Sequence, residues 1–299
     1  MTPGIYLAHK PVGQTSFSLV QGFMEEVRAA GIRRDRLPVC HGGVLDPFAE
    51  GLVLLLAGPA TRLIDLLHPV PKTYLAEIAW GMETDNGDLL GQMTKKADAG
   101  ILTAALLDEA LAEFPGWRDQ VPPAHSNKRI GGERAYLKAQ RGEIVDLPPS
   151  RVYLHEARFL SHELPRRSTL RIVSGGGYYV RALARDLGRR TGALGHLTKL
   201  HRTAIGPWED PGPGRRVQLR GAQLYPWCRS REISAAERET LRGARPIEPD
   251  RILPAEWKLP EGFPDPDAPV RALLGGSIVA MLREREGGLH AAPFLQPPL

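Results

Sequence analysis

His41-Gly-Gly-Val-Leu-Asp46-Pro-Phe-Ala-Glu-Gly51 sets one acidic residue in a glycine-punctuated turn, directly ahead of the apolar run Leu52 to Ala57. A short apolar run without alternation suits a strand buried on both faces. A carboxylate at the mouth of such a strand is either tied into local hydrogen bonds or kept available for chemistry. Asp before Pro is also an ordinary turn former, so the pair alone decides nothing.

Working outward, Ile5 to Ala8 reads as a strand, and Lys10-Pro-Val-Gly13 turns the chain into a helix capped by Thr15 or Ser16. That helix presents Leu19, Val20, Phe23, Met24 and Val27 on one face. Leu63, Ile64 and Leu67 have helical spacing before Pro69 and Pro71; Thr73 to Trp80 is strand-like, and 81 to 88 is a polar loop. Leu106, Leu107, Ala110, Leu111 and Phe114 mark an amphipathic helix from Thr103. Residues 120 to 150 are basic, rich in Pro and Gly and without apolar periodicity, which predicts a surface excursion. Strand signals return at Tyr153 to Leu160 and Thr169 to Val173, followed by a helix from about Tyr178 to Thr191. Gly206 to Gly214 is the best linker candidate. Beyond it, Ser234-Ala-Ala-Glu237 has capping-box form, while Val270 to Leu282 and Leu289 to Leu295 suggest strands of a small mostly-β domain.

Bulk properties narrow the class. A chain of 299 residues accommodates one large domain and a small one, and a hydrophobic fraction of 42% argues for a folded core. Cys40 and Cys228 are far apart and lack metal-ligand spacing, so neither a disulfide framework nor a metal site is expected. No apolar run approaches the roughly 18 residues of a membrane span, and Met1-Thr-Pro-Gly has no signal-peptide form, which predicts a cytoplasmic protein without membrane association. A net charge of +5 and a pI near 9.3 favour an anionic partner. Basic residues gather at Lys128, Arg129, Arg134, Lys138 and Arg141, and again at Arg166, Arg167, Arg181 to Arg190, Lys199 and Arg202. Each cluster alone is compatible with a solvated face; interleaved Tyr136, Tyr178 and Tyr179 point to a nucleic-acid track.

Five separated segments share an order and spacing with one known family. They are Lys10-Pro-Val-Gly-Gln-Thr-Ser16; His41 to Gly51; Lys72-Thr-Tyr74 with the Thr84-Asp-Asn-Gly-Asp88-Leu-Leu-Gly91 loop; Gln120-Val-Pro-Pro-Ala-His-Ser126 through Tyr136 to Gly142; and Gly175 to Gly188 continuing to Leu200-His-Arg202-Thr. Together they resemble the TruB family of pseudouridine synthases. The departures are His9 for the usual Asp, Gly42 for the commoner Thr, and Ser126-Asn-Lys-Arg129 for the family's Ser-Ala-x-Lys.

The resemblance implies an α+β fold: a mixed, largely antiparallel sheet with flanking helices in a catalytic domain over 1–214, with an RNA-gripping insertion at about 120–150. A PUA-like RNA-binding β domain over 215–299 follows. It implies isomerisation of uridine at position 55 in the T loop of tRNA, with a flipped-out base and no cofactor or metal. Asp46, Tyr74 and Arg181 match the catalytic positions; His41, Tyr179, Leu200, Asp88 and Lys10 match substrate-binding ones. Lys128, Arg129, Lys138, Arg141 and Arg202 are the candidates for RNA contact. Considered alone, Tyr74 is a half-buried strand aromatic, and Arg181, Arg185 and Arg189 form an exposed helix stripe. A guanidinium beside a buried carboxylate favours its charged form, the duty implied for Arg181 towards Asp46, with Asp88 on its other edge. The expected partner is the T arm of tRNA, with no obligatory protein partner. Two alternatives share these features: a relative modifying ribosomal RNA in a guide-RNA particle, and a catalytically silent RNA-binding protein or tRNA folding chaperone.

Overall fold

A computed structural model describes residues 1–33 and 35–299. Contacts divide it into two compact units, one of residues 1–47, 51–70 and 204–299, the other of 48–50 and 71–203.

In the first unit the apolar run after the Asp46 turn forms the strand Glu50–Ala57, buried throughout after Glu50. Gly4–Lys10 pairs antiparallel with it, placing Ile5 opposite Leu56 and Leu7 opposite Leu54. Val39–His41 also pairs with it, and Arg216–Leu219, just past the linker, pairs with the other edge of Gly4–Lys10. The helix Ser16–Ala29 starts where the sequence places it: the Thr15 hydroxyl accepts from the Ser18 amide, and Val20, Phe23 and Val27 are buried. The helical spacing around Leu63 resolves into a 3₁₀ helix, Gly58–Leu67, which opens with Pro59 and buries Leu63 and Leu67. The C-terminal sheet runs Ser230–Glu232, Val270–Leu274, Ser277–Arg285, Gly288–Phe294. Only the first of its pairings is parallel. The single apolar run expected over 270 to 282 is two strands, because Gly275 and Gly276 take φ of +59° and +77° and reverse the chain. Leu273, Ile278 and Met281 join the core that contains Ile5, Leu52 and Leu54, and Ile233, Leu241, Val279 and Leu289 form a second cluster.

The second unit contains four neighbouring strands in the order Lys72–Trp80, Arg167–Ser174, Ser150–Glu163, Gly116–Gln120, and the strand Gly195–Ile205, which lies in this unit up to residue 203, comes next to Lys72–Trp80. Pairing is antiparallel from Lys72–Trp80 outward. Along Lys72–Trp80 the side chains of Lys72, Tyr74, Ala76, Ile78 and Trp80 are the buried set, the period-2 pattern of a one-sided core strand. The helices Ala104–Ala112 and Val180–Thr191 accompany this sheet. Gly188 lets the second approach closely, since a Cβ there would sit 2.3 Å from the Gly195 amide nitrogen. The polar stretch from Gly81 begins as a short hairpin, Met82–Thr84 against Met93–Lys96. Among the described residues no helix is long and apolar enough to cross a membrane.

Candidate active site

The turn that carries Asp46 is built by the segment Lys10 to Ser16. The Ser16 hydroxyl accepts from the Leu45 amide at 2.9 Å and donates to the Leu45 carbonyl at 3.4 Å, while the Gly13 amide donates to the Pro47 carbonyl at 2.8 Å. Both neighbours of Asp46 are therefore fixed, and the aspartate itself stays half-buried. The Lys10 ammonium, fully buried, donates to the carbonyls of Pro11 at 2.8 Å, Gln14 at 2.9 Å and Pro47 at 3.5 Å. The sequence expectation of a substrate contact for Lys10 thus meets a side chain whose charge is turned into the turn. Gly42, standing where the family more often has Thr, has no room for a side chain. A Cβ would lie 2.7 Å from Leu67 and 3.0 Å from Leu56, so leucine methyl groups fill that space.

Arg181 is the second residue of the helix Val180–Thr191 and is 3% exposed. Its Nη1 donates to the Asn86 carbonyl at 2.8 Å and its Nη2 to the His125 carbonyl at 3.0 Å. The Asp88 carboxylate is 3.9 Å from Nη1, a distance for charge attraction rather than a close hydrogen bond. Asp88 is itself fixed: one carboxylate oxygen accepts from the Leu90 amide and its carbonyl from the Thr84 hydroxyl. Gly87, at φ +77°, keeps this loop against the helix, because a Cβ would stand 3.3 Å from that of Arg181. Two turns further on, Arg189 makes a bidentate pair with Glu83 at 2.6 and 2.7 Å, which holds that carboxyl below its ordinary range.

The family model described as TruB family pseudouridylate synthase (N terminal domain) matches residues 33–180. Proteins named tRNA pseudouridine synthase B align over most of the chain. The one from Rhodopirellula baltica is 37% identical over 204 residues, covering 68% of this chain and 58% of its own length. The one from Xanthomonas campestris pv. campestris (strain 8004) is 38% identical over 208 residues, covering 70% and 65%. The one from Synechococcus sp. (strain WH7803) is 38% identical over 209 residues, covering 69% and 67%. The chain belongs to the TruB family. It spans less than two thirds of the length of the first two of these relatives. The fold is also that of the Cbf5-Nop10-Gar1 complex structure, with a TM-score of 0.64 at 18% identity over 98% of this chain and 85% of that one.

The remaining family positions fall as follows. Tyr74 is buried on Lys72–Trp80, opposite Ile172, and Leu200 is buried on Gly195–Ile205. His41 is half-buried opposite Leu55, and Tyr179 is half-buried immediately before its helix. Asp46 and His41 belong to the first compact unit, and Tyr74, Asp88, Tyr179 and Arg181 to the second. Arg202, expected on the RNA track, is 3% exposed, and its charge adds to burial in lowering the Lys72 pKa to about 7. The insertion contains a two-strand hairpin, Arg129–Ile130 with Glu133–Arg134, turned by Gly131 and Gly132 at φ of +59° and +87°. A short helix, Ala135–Gln140, follows it.

The insertion's basic residues divide. Arg141 is clamped by Glu133 at 2.7 and 2.9 Å and by Glu143 at 2.6 Å, and Lys138 lies 3.4 Å from Glu143. Arg129 donates to the Gly132 carbonyl and Arg134 to the Asn127 side chain, leaving the hairpin cations without carboxylate neighbours among the ion pairs described; Lys128 is exposed beside them. Sequence reasoning gave no role to Gln120, whose amide holds the peptide of Tyr179, or to the carbonyls of Asn86 and His125. Gln120 was visible only as the opening of the Gln-Val-Pro-Pro segment.

Proposed function

We propose that this chain isomerises uridine to pseudouridine in tRNA, at position 55 of the T loop. The observation that supports this most is the 37–38% identity to proteins named tRNA pseudouridine synthase B over 204 to 209 residues. The reaction breaks the bond between ribose C1′ and base N1, turns the base, and joins C5 to C1′. The proton lost from C5 is matched by one gained at N1, so redox balance is kept and no outside reactant enters.

Asp46 is the carboxylate in this scheme, acting as nucleophile at C1′ or as base at C2′. The clasp of Lys10, Gly13 and Ser16 around residues 45 and 47 supports that role, because it fixes the backbone on both sides of the carboxylate. Arg181 supplies a fixed positive charge, Tyr74 a flat face for the detached uracil, and Tyr179 a second aromatic edge. The target base leaves its stack, which costs less in a loop than in a duplex. The insertion and a PUA-like domain over 215–299 hold the T arm, the protein acts without an obligatory protein partner, and the reaction takes place in the cytoplasm. Tritium release from C5-labelled uridine in a T-arm RNA tests this reading. Release with wild-type protein, and none from RNA lacking the target uridine, is the expected result; binding without release would leave an RNA-binding protein.

A further inference from the structure

We propose that Gln120 is a positioning residue for this isomerisation: its side-chain amide fixes the peptide of Tyr179 and thereby the start of the helix that carries Arg181. The proposal rests on the functional reading above. Gln120 ends the strand Gly116–Gln120 and is 3% exposed. Its Oε1 accepts from the Tyr179 amide at 2.9 Å, and its Nε2 donates to the Tyr179 carbonyl at 3.0 Å. One primary amide therefore makes the donor-acceptor pair that a neighbouring strand would make, and only this orientation of the amide satisfies both peptide groups. The residue so held is the N-cap of the helix, which has no side-chain cap of its own.

The strap continues past Gln120. Arg185 Nη2 donates to the Val121 carbonyl at 3.0 Å, and Arg181 Nη2 to the His125 carbonyl at 3.0 Å. Residues 120, 121 and 125 are thereby fastened to residues 179, 185 and 181. Ser126 follows at once, and its carbonyl accepts the Tyr136 amide, which roots the short helix of the insertion in the same strap. The insertion root and the Arg181 guanidinium are consequently one mechanical body, with the Gln120 amide as its first fastening. Loss of that fastening leaves the charge of Arg181 in place and lets its donor atoms wander from the position the reaction needs, a displacement to which rates are steeply sensitive.

The test uses the full chain with Gln120→Met, which keeps the volume and removes both hydrogen bonds, and Gln120→Glu, which keeps the shape and the acceptor but cannot donate while ionised. Single-turnover pseudouridine formation on a T-arm RNA is measured beside RNA affinity and thermal midpoint. The rate is expected to fall by about tenfold or more in Gln120→Met while RNA affinity changes by less than about twofold, the split expected of an interaction used in the transition state. In an Arg181→Lys background the same substitution is expected to cost less than about twofold further, because residues acting as a unit are non-additive. A purely structural role predicts losses that multiply. If Gln120→Met fails to fold, Gln120→Glu carries the same two comparisons. Normal rates in the folded variants, multiplying losses, or a loss confined to RNA affinity overturn the proposal. Wild-type protein run alongside separates the two claims: absence of product there removes the functional reading, and this proposal with it.

Discussion

Arg181→Lys keeps a cation at the start of its helix but cannot keep both of its backbone acceptors. The guanidinium spans the carbonyls of Asn86 and His125 with different nitrogens, at 2.8 and 3.0 Å, whereas an ammonium on a shorter, flexible stem reaches one of them. One charge-assisted hydrogen bond is then lost, about 1.5–3 kcal/mol. If that loss falls on the folded state, equilibrium denaturation reads it as a lower midpoint. If it falls on the transition state, about 1.4 kcal/mol per factor of ten converts it to a fall of roughly ten- to a hundredfold in the single-turnover rate. The two assays together, denaturant melting and tritium release from T-arm RNA at saturating protein, assign the loss. A variant within about twofold of wild type in rate and with an unchanged midpoint would refute the claim that two-sided anchoring of this guanidinium matters.

Ser16→Ala removes the acceptor of the buried Leu45 amide and is expected to cost about 1–3 kcal/mol, with a lower rate at saturating RNA because the Asp46 turn loosens; melting and single-turnover assays check both. Gly42→Thr, although it restores the residue common in the family, is expected to destabilise by about 1–3 kcal/mol, since its Cβ would meet Leu67 at 2.7 Å; a raised melting midpoint would contradict this. Reversing the charges of Lys128, Arg129 and Arg134 together is expected to flatten the log-log salt dependence of T-arm binding by about two to three units, while reversing Lys138 and Arg141, already opposed by Glu133 and Glu143, changes it by less than about one; equal effects would mean the carboxylates do not shield the helix cations. Burial and the charge of Arg202 lower the Lys72 pKa to about 7 from an ordinary 10.5, so in that window the unfolded chain binds more protons than the folded one and stability rises with pH; Lys72→Met is expected to flatten the rise between pH 7 and 9 in denaturation titrations.

Much of this was legible in the sequence wherever side-chain type and period carry the information. The apolar run 52–57, the helix face of Val20, Phe23 and Val27, and the Ser234 to Glu237 capping box all appear where their patterns place them. The acidic turn and the arginine at the helix start were visible because the five segments keep their order. What holds those residues was hidden, because Arg181 is anchored on the carbonyls of Asn86 and His125, and backbone acceptors have no sequence signature. The sequence placed Lys10 among the substrate-binding positions by resemblance but did not show that its ammonium is buried on carbonyls, which depends on where the chain folds back at Pro47. The insertion's charge was plain, but its partition between hairpin and helix depends on Glu133 and Glu143 meeting Arg141 across a turn. Short strands such as Val39–His41 and Ser230–Glu232 contain too few residues to show a period.

The proposed reaction stands or falls with Asp46 as its reacting carboxylate. Tritium release from C5-labelled uridine in a T-arm RNA, measured in single turnover with wild type and Asp46→Asn at matched occupancy, tests it most directly. The expected result is full release by wild type, and a rate lowered by at least about a thousandfold in the variant with RNA affinity within about threefold. Release by Asp46→Asn at a rate comparable to wild type would remove Asp46 from the reaction.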